Sequence, residues 1–103
     1  MRRIEKIQVR NSTPPRIEFD HSVSAWYVRF KNTKVARTLS EEKPGVVIAI
    51  DLDAHNDVVG IELLGVKEFS IRMIQELVQV DTSKVDFTRA KFVRASDREL
   101  VEA

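Results

Sequence analysis

The chain contains no cysteine. That excludes a disulfide framework, a zinc–thiolate centre and an iron–sulfur cluster, and it fits a reducing compartment, so a cytoplasmic location is expected. Glycine is scarce, three residues in all, which leaves no loop able to cradle a phosphate. The longest apolar run is Val46-Val47-Ile48-Ala49-Ile50, far short of the ~20 residues of a membrane-spanning helix, so no membrane partner is expected. The basic start, Met1-Arg2-Arg3-Ile4-Glu5-Lys6, lacks an apolar stretch of the secretory kind. No Gly-x-Ser-x-Gly element and no Ser–His pairing stands out, so neither a catalytic residue nor a cofactor is assigned.

What is present suits one ordered domain. The 103 residues are 43% hydrophobic, enough for a core without a structural metal. Net charge is only +1 but unevenly spread. Residues 1–16 hold Arg2, Arg3, Lys6, Arg10 and Arg16 against Glu5, a local +4. Residues 41–62 hold Glu41, Glu42, Asp51, Asp53, Asp57 and Glu62 against Lys43, a local −5. Such an asymmetry is able to steer a partner, or a second copy of the chain.

Asn11-Ser12-Thr13-Pro14-Pro15 is the strongest break, because consecutive prolines fix φ and donate no N–H. Residues 1–15 therefore read as an arm and linker. Arg16–Asp20 alternates, with Ile17 and Phe19 on one face. Ala25–Lys31 alternates more clearly, with Trp26, Val28 and Phe30 sharing a face. A strand over Val35–Ser40, with Val35 and Leu39 inward, ends in a Glu41–Gly45 turn. Val46–Asp51 is apolar on both faces and reads as a central strand covered on both sides. Ala54-His55-Asn56-Asp57 then forms a hairpin loop to Val58–Leu64. The spacing of Phe69, Met73, Leu77 and Val80 predicts a helix over Lys67–Gln79. Residues 81–103 read as an irregular extension, with a capping-box pattern at Ser96–Glu99. The expected fold is α+β: an antiparallel meander of four to five strands across residues 16–80, with one helix packed on it.

From Glu18 to Leu64 the chain resembles a family of small bacterial and archaeal proteins known only as a domain of unknown function. The residues that carry the likeness are Phe19-Asp20, Trp26-Tyr27-Val28, Pro44-Gly45-Val46-Val47-Ile48-Ala49-Ile50-Asp51-Leu52-Asp53 and Gly60-Ile61-Glu62-Leu63-Leu64. Two departures stand out. His55-Asn56 replaces the family's usual Asp-Gly turn, and a longer segment follows the Gly-Ile-Glu element. The resemblance implies the fold and a cytoplasmic, microbial protein. Some members resemble the partner half of two-gene modules of the toxin–antitoxin kind, which points to protein binding.

The residues themselves leave several functions open. Asp51-x-Asp53-x-His55 with Glu62 has part of a calcium-loop spacing, but His55 and Asn56 fall where an oxygen ligand and a glycine belong, and the flanks read as strands. No metal is therefore assigned. Asp51, Asp53 and Glu62 remain candidates for the alternative function, a small-ligand or metal-binding domain that uses the acidic hairpin. Glu62, set between Ile61 and Leu63, is expected to pair across the sheet with Arg29 or Arg37. Tyr27, Phe69, Met73 and Leu77 form a candidate interaction face. Arg89, Lys91, Arg94 and Arg98 with Phe87 and Phe92 are diluted by Asp86, Asp97, Glu99 and Glu102, so nucleic acid is not the expected partner. The leading expectation is a non-catalytic interaction module that self-associates or binds a small protein.

Overall fold

The computed structural model describes residues 6–10 and 14–94. The strands are β1 (Ile7–Gln8), β2 (Arg16–Asp20), β3 (Ala25–Arg29), β4 (Arg37–Lys43), β5 (Val46–Leu52), β6 (Val58–Leu64), β7 (Val80–Asp81) and β8 (Lys91–Arg94). One short helix, α1, spans Ile71–Gln75. Six strands form one sheet in the order β4-β5-β6-β3-β2-β8, and β1 and β7 form a separate parallel pair. No helix among the described residues is long and apolar enough to cross a membrane.

The α+β class holds, but the meander does not. β8 pairs with β2 in parallel, so the sheet is mixed. Strand order also departs from sequence order, because β3 lies beside β6 rather than β4. The amides of Phe30 and Lys31 both donate to the Val59 carbonyl, at 2.8 and 3.3 Å, and lock β3 there. Residues 30–36 then carry the chain to the far edge, where Arg37 opposes Leu52.

Alternation was a sound guide within β2, β3 and β6. Ile17, Val28, Ile48, Ile50, Leu52, Ile61 and Leu63 are buried on one side of the sheet. Each such aliphatic side chain contributes about 1.5–3 kcal/mol by leaving water. Covering them are Val9 from the arm, Ile74 and Leu77 around α1, Val80 of β7, and Phe87, whose ring meets Phe30 edge-on. Among the described residues, no element packs over the opposite face. Val47 is 62% exposed there, so β5 is covered on one side only. Val35, expected inward, precedes β4 and is 39% exposed. Glu41–Lys43, expected as a turn, complete β4, and the turn narrows to Pro44-Gly45, with Gly45 at φ 76°. Asn56 occupies the left-handed region at φ 64°, as the hairpin reading required.

The helix is shorter than its apolar spacing suggested. Glu76 still bonds back to the Arg72 carbonyl at 2.9 Å. Beyond it, the amides of Val78 and Gln79 turn to the Glu41 carboxylate of β4, at 2.9 and 3.0 Å. A charged acceptor outcompetes further helical bonding. The chain then runs straight into β7, where Ile7 pairs with Val80 and Gln8 with Asp81. Residues 81–94, read as irregular, include β8 and a 3-10 turn at Phe87–Arg89. Ser96–Glu99 and Arg98 lie outside the described residues.

Candidate functional site

The open face of the sheet gathers most of the polar side chains singled out above. Cross-strand register sets two rows on it. One runs Glu18, Tyr27, Glu62, Ala49 and Ser40; the next runs Arg16, Arg29, Gly60, Asp51 and Thr38. Gly60 is the gap in the second row. The Tyr27 ring leans over it, so that its hydroxyl donates to Asp51 Oδ2 at 2.8 Å. Thr38 donates to Asp51 Oδ1 at 2.6 Å. Arg29 donates from Nε and Nη2 to the two oxygens of Glu18, at 3.1 and 3.3 Å, and its guanidinium lies 4.9 Å from the Tyr27 ring centre. Arg16 adds a looser contact to Glu18 at 3.7 Å. Glu18, Tyr27, Arg29, Asp51 and Glu62 line a shallow hollow of about 410 Å³.

Burial raises the Tyr27 phenol well above its ordinary value, and the Asp51 hydrogen bond adds to the rise, against a smaller opposing effect from Arg29. Tyr27 is the chain's one tyrosine. Its ultraviolet titration is therefore free of overlap. It should ionise at clearly higher pH than a free tyrosine in the folded chain, and the difference should shrink in Asp51→Asn. Arg29 is held more firmly charged, chiefly by its bond to Glu18.

The three ligand candidates do not converge. Asp51 and Glu62 share the hollow, whereas Asp53 is 2% exposed in the β5–β6 loop. Asp53 Oδ2 accepts from Lys31 Nζ at 2.7 Å, and Oδ1 accepts the amides of His55 and Asp57 at 2.9 and 3.0 Å. Asp53 is thus the keystone of its own loop. Among the described residues, no group of three or more histidines, aspartates or glutamates is arranged to hold a metal ion. Glu62 does not meet Arg29 or Arg37. Arg29 binds Glu18, and Arg37 donates to Asn56 Oδ1 at 3.0 Å. The register sets Glu18 and Glu62 on either side of Tyr27, each diagonal to Arg29, and the guanidinium turns to Glu18.

The interaction candidates also separate. Tyr27 is on the open face, while Leu77 is fully buried and Phe69 and Met73 pack at the margin of the core. Phe69 stacks on Trp26, with ring centres 5.0 Å apart. Of the basic stretch, Phe87 is core and Phe92 is 57% exposed on β8. Thr38 and Gly60 were missed by sequence reasoning. The glycine was the available signal, since a glycine inside a strand marks a close approach.

Lys31 lowers the Asp53 carboxyl to about 2, with the two loop amides helping and burial opposing. A carboxyl depressed on folding stabilises the folded state above its unfolded value, and that contribution is lost as pH falls through the folded one. Tm should therefore decline between about pH 5 and pH 2. The decline should be shallower in Asp53→Asn, read by circular dichroism melts across that range.

A family model described as "Protein of unknown function (DUF2283)" matches residues 16–67, half of the chain. The chain belongs to the DUF2283 family. The matched stretch begins at β2 and ends just past β6, so it contains the whole hollow and the hairpin held by Asp53. Neither the search of curated proteins nor that of solved structures found a match. In this DUF2283 protein the network around Tyr27 and Asp51 thus lies within the matched segment. The arm, α1, β7 and β8 lie outside it.

Proposed function

We propose that this DUF2283 protein is a non-catalytic protein-interaction module that self-associates or binds a small protein partner, as the partner half of a two-gene module does, in the cytoplasm. One observation carries the reading. Most of the acidic side chains that a catalytic or ligand site would draw on are already engaged within the fold: Asp51 by Tyr27 and Thr38, Glu18 by Arg29, and Asp53 by Lys31, with Glu62 the exception among the candidates. A carboxylate held by fixed donors is poorly placed to move a proton or to close on a ligand. Among the described residues, β4 and β8 each have a strand partner on one side only, and backbone pairing at such an edge supplies affinity.

Light scattering on the intact chain, over a wide concentration range, tests this. A mass above that of one chain is the expected result. A second reading rests on the hollow shared by Asp51 and Glu62, which would take a small cationic ligand. A single-chain mass at every concentration, with a melting temperature raised by divalent cations and that rise abolished in Asp51→Asn, would replace the first reading with the second.

A further inference from the structure

Beside the Glu18 row, the open face carries a further row: Asp20, Ala25, Leu64, Val47 and Glu42, set side by side by register. Its middle is apolar and both its ends are carboxylates. The Glu18 row adds Glu62, and register places no lysine or arginine on either row. Arg16 and Arg29, one row further on, both turn to Glu18. Asp20, Glu42 and Glu62 have no ion pair among the described residues. Val23 and Val35 line the adjoining hollow and, like Val47, are exposed.

Exposed aliphatic side chains rimmed by uncompensated carboxylates mark a surface for a partner of complementary kind. That partner presents aliphatic side chains to the strip and lysine or arginine to its rim. Backbone chemistry narrows the choice further. β2, β3, β5 and β6 each pair with a strand on both sides, so the middle of this face offers side chains and no free backbone groups. A segment lying on it must satisfy its own N–H and C=O groups, as a helix does.

Resting on the interaction-module reading, we propose that the open face docks a basic amphipathic helix of a protein partner. The aliphatic stripe of the helix covers Leu64 and Val47, and cations beside the stripe meet Glu62 and Glu42. Ion pairs at such a rim steer the encounter and select against acidic partners. The apolar strip supplies the buried area.

The probe is a labelled peptide of about 18 residues, beyond the length at which isolated helices are marginal, with leucines on one helical face and lysines on the other. Its twin carries glutamate in place of lysine. Fluorescence anisotropy with the intact chain should show the lysine peptide bound and the glutamate twin free. Glu62→Lys and Val47→Lys should each weaken binding roughly tenfold, because each sets a cation beneath the incoming cations. Glu62→Gln, which keeps the side-chain shape, should weaken it by about threefold. Glu68→Lys and Val78→Lys make the same changes at exposed positions away from this face and should leave binding unchanged. Equal binding of the two peptides, binding of neither, or an equal loss in all four lysine variants overturns the proposal. Self-association by light scattering that disappears in Val47→Lys, with no peptide bound, makes the face a contact between copies and also overturns it. Self-association that survives Val47→Lys, with no peptide bound, sinks this docking face and spares the module reading.

Discussion

Glu41→Ala should cost about 2–4 kcal/mol of folding stability, as the loss of a charged acceptor shared by two part-buried amides. Glu41 is 8% exposed, and both of its oxygens are used: Oε2 accepts from Val78 and Oε1 from Gln79. These bonds fasten β4 to the segment that ends α1, and that segment in turn carries β7 and the arm. The residues next to the anchored amides, Leu77 and Val80, are at most 1% exposed. The variant therefore leaves two amides without their acceptor and loosens the lid over the core. Glu41→Gln keeps one acceptor oxygen and should recover part of the loss. Urea unfolding of the three chains measures the order, parent above Gln above Ala. Hydrogen exchange should place the weakening in residues 78–81. Equal stability of the Ala variant and the parent would mean that water replaces the carboxylate without cost.

The same carboxylate explains why the helix was misjudged from sequence. Phe69, Met73, Leu77 and Val80 do recur at helical intervals. The pattern is real, but nothing local reveals that a residue 37 positions upstream takes the amide of Val78. Where the sheet's order is set by chain neighbours, as in the β2–β3 and β5–β6 hairpins, alternation and the turn residues Ser24 and Asn56 suffice; both adopt positive φ. β8 escaped notice because Lys91-Phe92-Val93-Arg94 offers two apolar residues and no alternation. Its partner β2 lies more than seventy residues away. The site follows the same division. The residue types were visible, and Asp51 and Glu62 do share the hollow. Register left Glu18 and Glu62 equally diagonal to Arg29, and only the side-chain conformation, invisible in the sequence, joins Arg29 to Glu18; turn geometry took Asp53 away.

Gly60→Ala should destabilise the parent chain by about 1–3 kcal/mol, and should be neutral or stabilising once Tyr27 is removed. A Cβ on Gly60 would overlap Cε1, Cζ and Oη of the Tyr27 ring. The backbone there has no positive φ, so the clash is with the side chain alone. The ring must swing aside. Doing so breaks its hydrogen bond to Asp51 and uncovers the ring against which Arg29 lies. A hydrogen bond to a charged group contributes about 1.5–3 kcal/mol, and a cation–π contact about 0.5–1 kcal/mol at a partly exposed site. In a Tyr27→Ala background those losses are already incurred, and the space over residue 60 is empty. Alanine then gains its ordinary advantage over glycine in a strand, about 0.5–1 kcal/mol. The double-mutant cycle should therefore show a coupling well above the few tenths of a kcal/mol expected of independent sites. Additive effects would mean that the ring does not rest on Gly60 in solution. Tyr27→Phe separates the two contributions: it keeps the ring over Gly60 and the contact with Arg29 while deleting the bond to Asp51. Its cost should fall between those of the parent and Tyr27→Ala, and Gly60→Ala should remain harmful in its background.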